Sequence, residues 1–413
     1  MTRNHNSGYS RINTIKYRIY FTKDGSHLMN TPSNETLVLC QQLIRQKSIT
    51  PHDAGCQNLI KDFLQDLNFN FIDLTKNAVS NLLALRIIDP NKPLLLFVGH
   101  TDVVPTGDEK LWAHPPFAAK IVGETLFGRG AADMKSSIAA FLTATKNAIL
   151  NQQIAINLGL AITSDEEGPA IDGCKHIADY LQQNNIKVDY CLVGEPSSDK
   201  QLGDTIRVGR RGSLHARLEI HGKQGHIAYP EKACNPIHKS LRALQALTEN
   251  IWDNGNEEFP ATSMQISNIN AGLGAKNVIP ESIIIDINFR FCPESSIESL
   301  KSATHNILDQ HNINYTTDWS TGAMPFHSKA GALRKAVTQS IQNVLGITCA
   351  ANTAGGTSDG RFFASECTEI IEFGLINASI HQIDEQINIA DLHKLHTIYK
   401  AILQTMSAQP DLK

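Results

Sequence analysis

Between residues 29 and 208 the chain alternates short apolar runs with longer stretches whose apolar positions recur at helical spacing. A strand with one wet face shows period two, so an apolar run without that alternation reads as a strand covered on both faces. "LLLFV" (94–98), "IAINLGLAIT" (154–163), "CLVG" (191–194) and, late in the chain, "IIEFG" (370–374) are such runs. "MNTPSNETLVLCQQLIRQ" opens the pattern at Met29, with Ser33 or Asn34 placed to cap a helix along the Leu-rich stripe. The alternation predicts an α/β layer with a mostly parallel sheet flanked by helices.

Residues 212 to about 322 follow a different rhythm. "SLHARLEIHG" alternates as a half-buried strand, and Asn235-Pro236 opens a helical stretch to Trp252. "TSMQISNINAG" and "ESIIIDINFRF" read as strands, "SSIESLKSATHNILDQHN" as a helix and "INYTTDW" as a last strand. The order β-α-β-β-α-β predicts a ferredoxin-like α+β domain inserted in the α/β one, with a sheet edge or helix face suited to dimerisation. The expected division is 29–211 and 323–413 for the catalytic domain, 212–322 for the insert and 1–28 for an extension.

Composition narrows the function classes. Apolar residues make up 41%, charged residues 19%, and the formal charge is -4. That balance excludes a general nucleic-acid or polybasic membrane binder. No apolar run reaches the roughly 18 residues of a membrane span. The 8 cysteines are scattered without C-x-x-C spacing, which predicts reduced thiols of a cytoplasmic protein and no cysteine-rich structural zinc site. The first 28 residues are basic and poor in acids but lack a secretory apolar stretch. They read as a start-site artefact, a disordered tail or an organelle transit peptide.

The chemistry collects just beyond the apolar runs, the edge where open α/β sheets form crevices. "LLLFV" leads to His100 and Asp102, which lie two apart on an extended segment and so face one side. "IAINLGLAIT" ends in "TSDEEG", where Asp165, Glu166 and Glu167 stand side by side. "CLVG" ends in Glu195, "IIEFG" precedes His381, and Asp133 sits just before a strong helix pattern. Each has a bland alternative: a surface loop for His100 and Asp102, an N-cap for Asp133, a solvated turn for the acids. An Arg or helix N-terminus could pair Glu195, and His381 could be structural. Three adjacent acids are the hardest to explain that way, because their repulsion reverses sign only beside cations. Together, two imidazoles and three carboxylates form an N/O donor set suited to zinc or cobalt. Roughly +4 from two ions would be balanced by the carboxylates and one hydroxide.

"GHTDVVP", "GRGAADMK", "TSDEEG", "GEPS", "GKQGHIAYP", "GGTSDGRF" and "SIHQIDE" resemble, in order, the signature of the zinc aminoacylase and carboxypeptidase family of dinuclear metallohydrolases. The resemblance runs from about Met29 to the C-terminus. It implies that His100 and Glu195 bind one metal, Glu167 and His381 the other, and that Asp133 bridges them. The ions would be two Zn2+, with Co2+ as the alternative. Asp102 would hold the tautomer of His100, Glu166 would be the general base and then acid, and His226 would cross a homodimer interface to steady the oxyanion.

"RVGRRGSL", "NVIP" and "GGTSDGRF" point within the family to cleavage of an N-succinyl diamino acid, in lysine and peptidoglycan-precursor biosynthesis. Arg210 and Arg290 would clamp its carboxylates, with Tyr229, Asn277, Thr357 and Asn377 as polar contacts; Arg211 fits a surface role equally well. The alternatives are an acetylornithine deacetylase-like or carboxypeptidase-like hydrolase, or a non-catalytic metal- or peptide-binding relative. One position departs from the family's pattern: Asp384 stands where Asn is usual, placed to alter the basicity of His381 or a hydrogen bond behind it.

Overall fold

A computed structural model describes residues 32–272, 274–365 and 367–408. The extension 1–28 and the start at Met29 lie outside the described residues. The first helix spans Pro32–Ile44, so Ser33 and Asn34 fall in its first turn and not ahead of it. Proline is at home there, because the first helical N–H has no partner to lose.

The central sheet has eight strands, in the order 70–73, 81–86, 157–163, 94–100, 190–193, 369–372, 205–207 and 350–352. It is parallel through its middle, where Leu94–His100 lies between Asn157–Thr163 and Tyr190–Val193, and Glu369–Glu372 follows. Antiparallel pairing enters toward the edges. Every residue of Leu94–His100 and Asn157–Thr163 is buried. The period of two then deals side chains into two cores. Leu95 and Phe97 join the helices 32–44, 136–150, 332–345 and 389–407, whereas Leu94, Leu96 and Val98 pack with helix 174–183. Phe97 stacks on Phe141 at 4.1 Å, and the Tyr399 hydroxyl donates to the Phe373 carbonyl at 2.6 Å.

The strands 205–207 and 350–352 and a small sheet of 386–388, 125–127 and 120–122 were not foreseen. Each is 3 residues long, too short to show a period. The small sheet matters for the site, since it lays Gln386–Asn388 against Thr125–Phe127.

Within 212–323 a separate four-stranded antiparallel sheet runs in the order 263–271, 282–291, 212–221 and 315–323. Helices Pro236–Glu249 and Ile297–Gln310 intervene in the chain. The Asn235 side chain accepts the Ile237 and His238 N–H groups, and Ser296 and Ser299 form a reciprocal cap. Leu214, Ala216, Leu218 and Ile220 point into a core of their own with Ile283, Ile285 and Ile287. The first of these helices stops at Glu249, short of Trp252, whose ring instead packs edge-on to Phe289 at 4.7 Å.

Candidate metal centre

His100 is the last residue of a fully buried strand, so its ring enters the site from a rigid support. Its Nε2 lies 3.1 Å from Asp133 Oδ1 and 3.6 Å from Glu195 Oε1. His381 approaches from a loop, with Nε2 3.0 Å from Glu167 Oε1 and 3.4 Å from Asp133 Oδ2. Asp133 therefore turns one oxygen to each histidine. Two donor groups result, His100, Asp133 and Glu195, then Asp133, Glu167 and His381, with all ligand atoms of each within 4.8 Å of one another. They share one carboxylate.

The electrostatics explain what such a cluster wants. Burial would depress His100, but the hydrogen bond and charge of Asp133, with Glu195 and Asp102 behind it, hold the ring well above its usual range. His381 is raised to about 10 by its hydrogen bonds to Asp133 and Glu167. Burial pushes Glu195 up, reinforced by Asp133 and Glu166. Crowded acids thus draw protons onto both rings. Divalent cations satisfy the same charge demand and also use the imidazole lone pairs. The donors are all N and O, and no cysteine belongs to either group, so the residues fit an open zinc- or cobalt-type pair.

Asp102 is buried, but it does not meet His100 in the expected way. The His100 Nδ1 bonds the main-chain carbonyl of Asp102 at 2.9 Å, while the carboxylate stands off at 3.7 Å. That carboxylate instead accepts the N–H groups of Glu166 and Glu167, at 3.3 and 3.1 Å. The tautomer is set by backbone, and the side chain shapes the acidic turn. Glu166 is pushed well above the ordinary carboxylate range by burial, then by the charge of Asp359, with Glu167 and Asp133 adding to it. Asp359, which the sequence reading passed over, is buried and raised by burial to about 6.

The residues expected to hold substrate divide. Arg210 is buried and committed: its Nε and Nη2 bind Glu372, and its Nη1 donates to the Ala354 carbonyl at 3.0 Å. Glu372 also accepts the Ser358 hydroxyl, so Arg210 braces the 352–358 loop. Arg290, in contrast, has a buried Nη1 with no acceptor. Burial lowers its pKa, followed by the charges of Arg211, Arg210 and Arg361. Thr357 and Asn377 are half-buried, and the main-chain N–H of Asn377 bonds Ser198. His226, Tyr229 and Asn277 lie together on the exposed face of the insert, where His226 and Tyr229 rings are 5.8 Å apart and Ile227 N–H bonds the Asn277 carbonyl. The described contacts do not join them to the two histidines above.

Asp384 settles into a different task from the two anticipated for it. Its Oδ1 accepts the Ala113 N–H at 2.8 Å, which an Asn oxygen would do equally well. Glu385, one residue on, was missed entirely: buried, it accepts the N–H groups of Gly130, Ala132 and Asp133 and the Arg129 guanidinium. Nothing in the linear pattern distinguishes it from a surface acid.

Residues 96–405 match the family described as Peptidase family M20/M25/M40. Among similar proteins, the succinyl-diaminopimelate desuccinylase of Hydrogenovibrio crunogenus is 49% identical over 90% of this chain and 98% of its own. That of Nitrosomonas europaea is 47% identical over 91% and 99%. Among solved structures, an M20 family metallo-carboxypeptidase of Sulfolobus solfataricus superposes with a TM-score of 0.79 at 18% identity, covering 91% of this chain and all (100%) of that one. A dinuclear metal-binding M20 peptidase of Bacillus subtilis gives 0.68 at 14%, covering 91% and 98%. With a family match across most of its length and near-half identity to such relatives, the chain belongs to the M20/M25/M40 peptidase family.

Proposed function

We propose that this chain is a dinuclear metal-dependent amidohydrolase that cleaves N-succinyl-LL-2,6-diaminopimelate to succinate and LL-2,6-diaminopimelate, acting in the cytoplasm in lysine and peptidoglycan-precursor synthesis. The observation that carries the metal chemistry is Asp133, one carboxylate facing both His100 and His381. His100 and Glu195 would hold one ion, Glu167 and His381 the other, with Asp133 between. When bound, the ions, zinc or cobalt, polarise the scissile carbonyl and bring the pKa of water toward neutrality.

The chain's own groups do the rest. Glu166, whose pKa is raised by burial, takes the proton of the attacking water and returns it to the leaving amine nitrogen as the C–N bond breaks. Its turn is fixed by the Asp102 carboxylate, so the base is presented without a search. The His226 Nδ1 accepts the Ala228 N–H at 3.1 Å, which leaves Nε2–H as the donor. That hydrogen would steady the oxyanion across a homodimer interface formed by the insert, residues 212–322. The strand Ser263–Ala271 is an edge with mostly exposed residues, among them Ile269 at 54% exposure, and it suits such pairing.

Arg290 is the better carboxylate clamp, since its orphaned nitrogen awaits an acceptor and Arg210 already has one. The test is hydrolysis by metal-stripped protein with zinc or cobalt restored, across a panel of succinyl-diaminopimelate, acetylornithine and dipeptides. Preference for succinyl-diaminopimelate is expected. Preference for acetylornithine or a dipeptide reassigns the substrate, and inertness toward all of them reassigns the protein to binding.

A further inference from the structure

Glu385 belongs to neither donor group, yet it ties together the segments that bear two of the ligands. Its Oε2 accepts the Gly130 N–H at 2.9 Å and the Arg129 Nη1 at 2.8 Å; its Oε1 accepts the N–H groups of Ala132 and Asp133 at 2.8 and 3.1 Å. The turn at Gly130 is left-handed, with φ 82°, and its N–H groups have left the strand ladder. Buried without an acceptor, each would lose its bond to water and gain nothing in return. One carboxylate gathers three of them and a guanidinium.

The other end of the same connection is the His381 loop. His381 lies four residues before Glu385, and both His381 and Asp384 have left-handed backbones, φ 61° and 58°, which a non-glycine chain adopts at a cost. Such a loop needs holding. Gly128 N–H donates to the Glu385 carbonyl at 2.9 Å, and Arg129 Nη1 also donates to the Gln382 carbonyl at 3.1 Å. Immediately beyond, Gln386 pairs with Phe127. By comparison, His100 ends and Glu195 closely follows adjacent, hydrogen-bonded strands of the central sheet, and they need no such tie.

We infer that Glu385 is a positioning residue that fixes the distance between Asp133 and His381, and so sets the affinity of the ion held by Asp133, Glu167 and His381 above all. This rests on the two-ion reading given under the proposed function. The Glu385 carboxylate grips the main chain of Asp133 from the segment that carries His381, so loosening it opens the group that needs both residues, while the group that shares only Asp133 keeps His100 and Glu195 on their strands and loses far less.

The test is zinc titration of the metal-stripped full chain by calorimetry, with elemental analysis of the bound ions. Wild type should bind two. Glu385→Gln keeps the shape and one acceptor oxygen but offers N–H to donors. It should weaken one ion roughly 10–100-fold, the usual effect of a partner behind a ligand, and leave the other within about threefold. General destabilisation would instead lower both affinities together, and that outcome, or two wild-type affinities, overturns the inference. If Glu385→Gln does not fold, Arg129→Gln carries the test with the same one-ion pattern at a smaller shift, and unchanged affinities overturn it. A wild-type protein that binds fewer than two ions sinks the two-ion reading itself, which the variants then cannot rescue.

Discussion

His100 and His381 present the same nitrogen to the same aspartate, yet they are supported in opposite ways. His100 ends a strand buried at every residue and is 1% exposed; the His381 side chain is 49% exposed on a loop with left-handed backbone. A strand end in a parallel sheet is positioned by ladders on both sides, so its ligand is fixed by the fold as a whole. A loop is positioned only by what binds it, here the contacts of Glu385 and Arg129, the Asp384 bond to Ala113 and one short strand. The strand-borne half is therefore built for rigidity and the loop-borne half for access, with Glu166 next to the second half's Glu167. A site that must bind ions firmly and still admit substrate divides its labour this way.

The comparison can be broken or sharpened by substitution. The largest effect is expected from Glu166→Gln, which removes the proposed base without touching a proposed ligand. kcat should fall about 10²–10⁴-fold, while elemental analysis finds the metal content of wild type; near-normal turnover would remove Glu166 from the reaction. Next, Arg290→Leu should raise KM for the succinylated substrate about 10–100-fold, from loss of a charge-assisted bond worth roughly 1.5–3 kcal/mol. Steady-state kinetics should show kcat changed much less, and a KM equal to wild type would free Arg290 from the clamp.

The two histidines themselves separate the halves. His381→Ala should lose one ion yet melt within about 3 °C of metal-free wild type, because its ring is half in water. His100→Ala hollows a buried site among carboxylates and should lower the melting temperature of the metal-free protein by several degrees, on the order of 2 kcal/mol. Equal shifts by calorimetry would erase the distinction drawn between strand and loop.

The smallest effect at neutral pH is expected at His396, which joins helices 32–44, 136–150 and 389–407. It is buried beside the hydroxyls of Thr143, at 2.9 Å, and Thr36, at 3.3 Å, and burial lowers its pKa to about 4. The unfolded chain takes up this proton first, near the ordinary 6.5. Stability should hold above about pH 6.5 and decline as pH falls toward 4, by on the order of 1–3 kcal/mol. In urea unfolding between pH 4 and 7, His396→Gln should flatten that slope; an unchanged slope assigns the pH dependence elsewhere.

Much of the frame was legible. "LLLFV" and "IAINLGLAIT" lack a period of two because both faces are covered; the first strand runs two residues past its apolar run to His100, and the second ends with its run at Thr163. The alternation in "SLHARLEIHG" survives as a strand with buried and wetter residues in turn. What failed to show was pairing at a distance. Arg210 and Arg290 look alike in sequence, and only the fold places Glu372 against the first and leaves an orphaned nitrogen on the second. Asp102 seemed bound for the His100 ring, yet the carbonyl of its own main chain reached it first.

The sequence by itself determined which residues are apolar in period, where the strands stop and which donors stand just past them, because these follow from covalent order and local burial. The tertiary structure alone decided that Asp133 faces two histidines, that Glu372 occupies Arg210 and that Glu385 joins the turn of Asp133 to the loop of His381. Those are contacts between segments 33 to 256 residues apart, and a buried charge takes its meaning from whichever partner the fold brings to it.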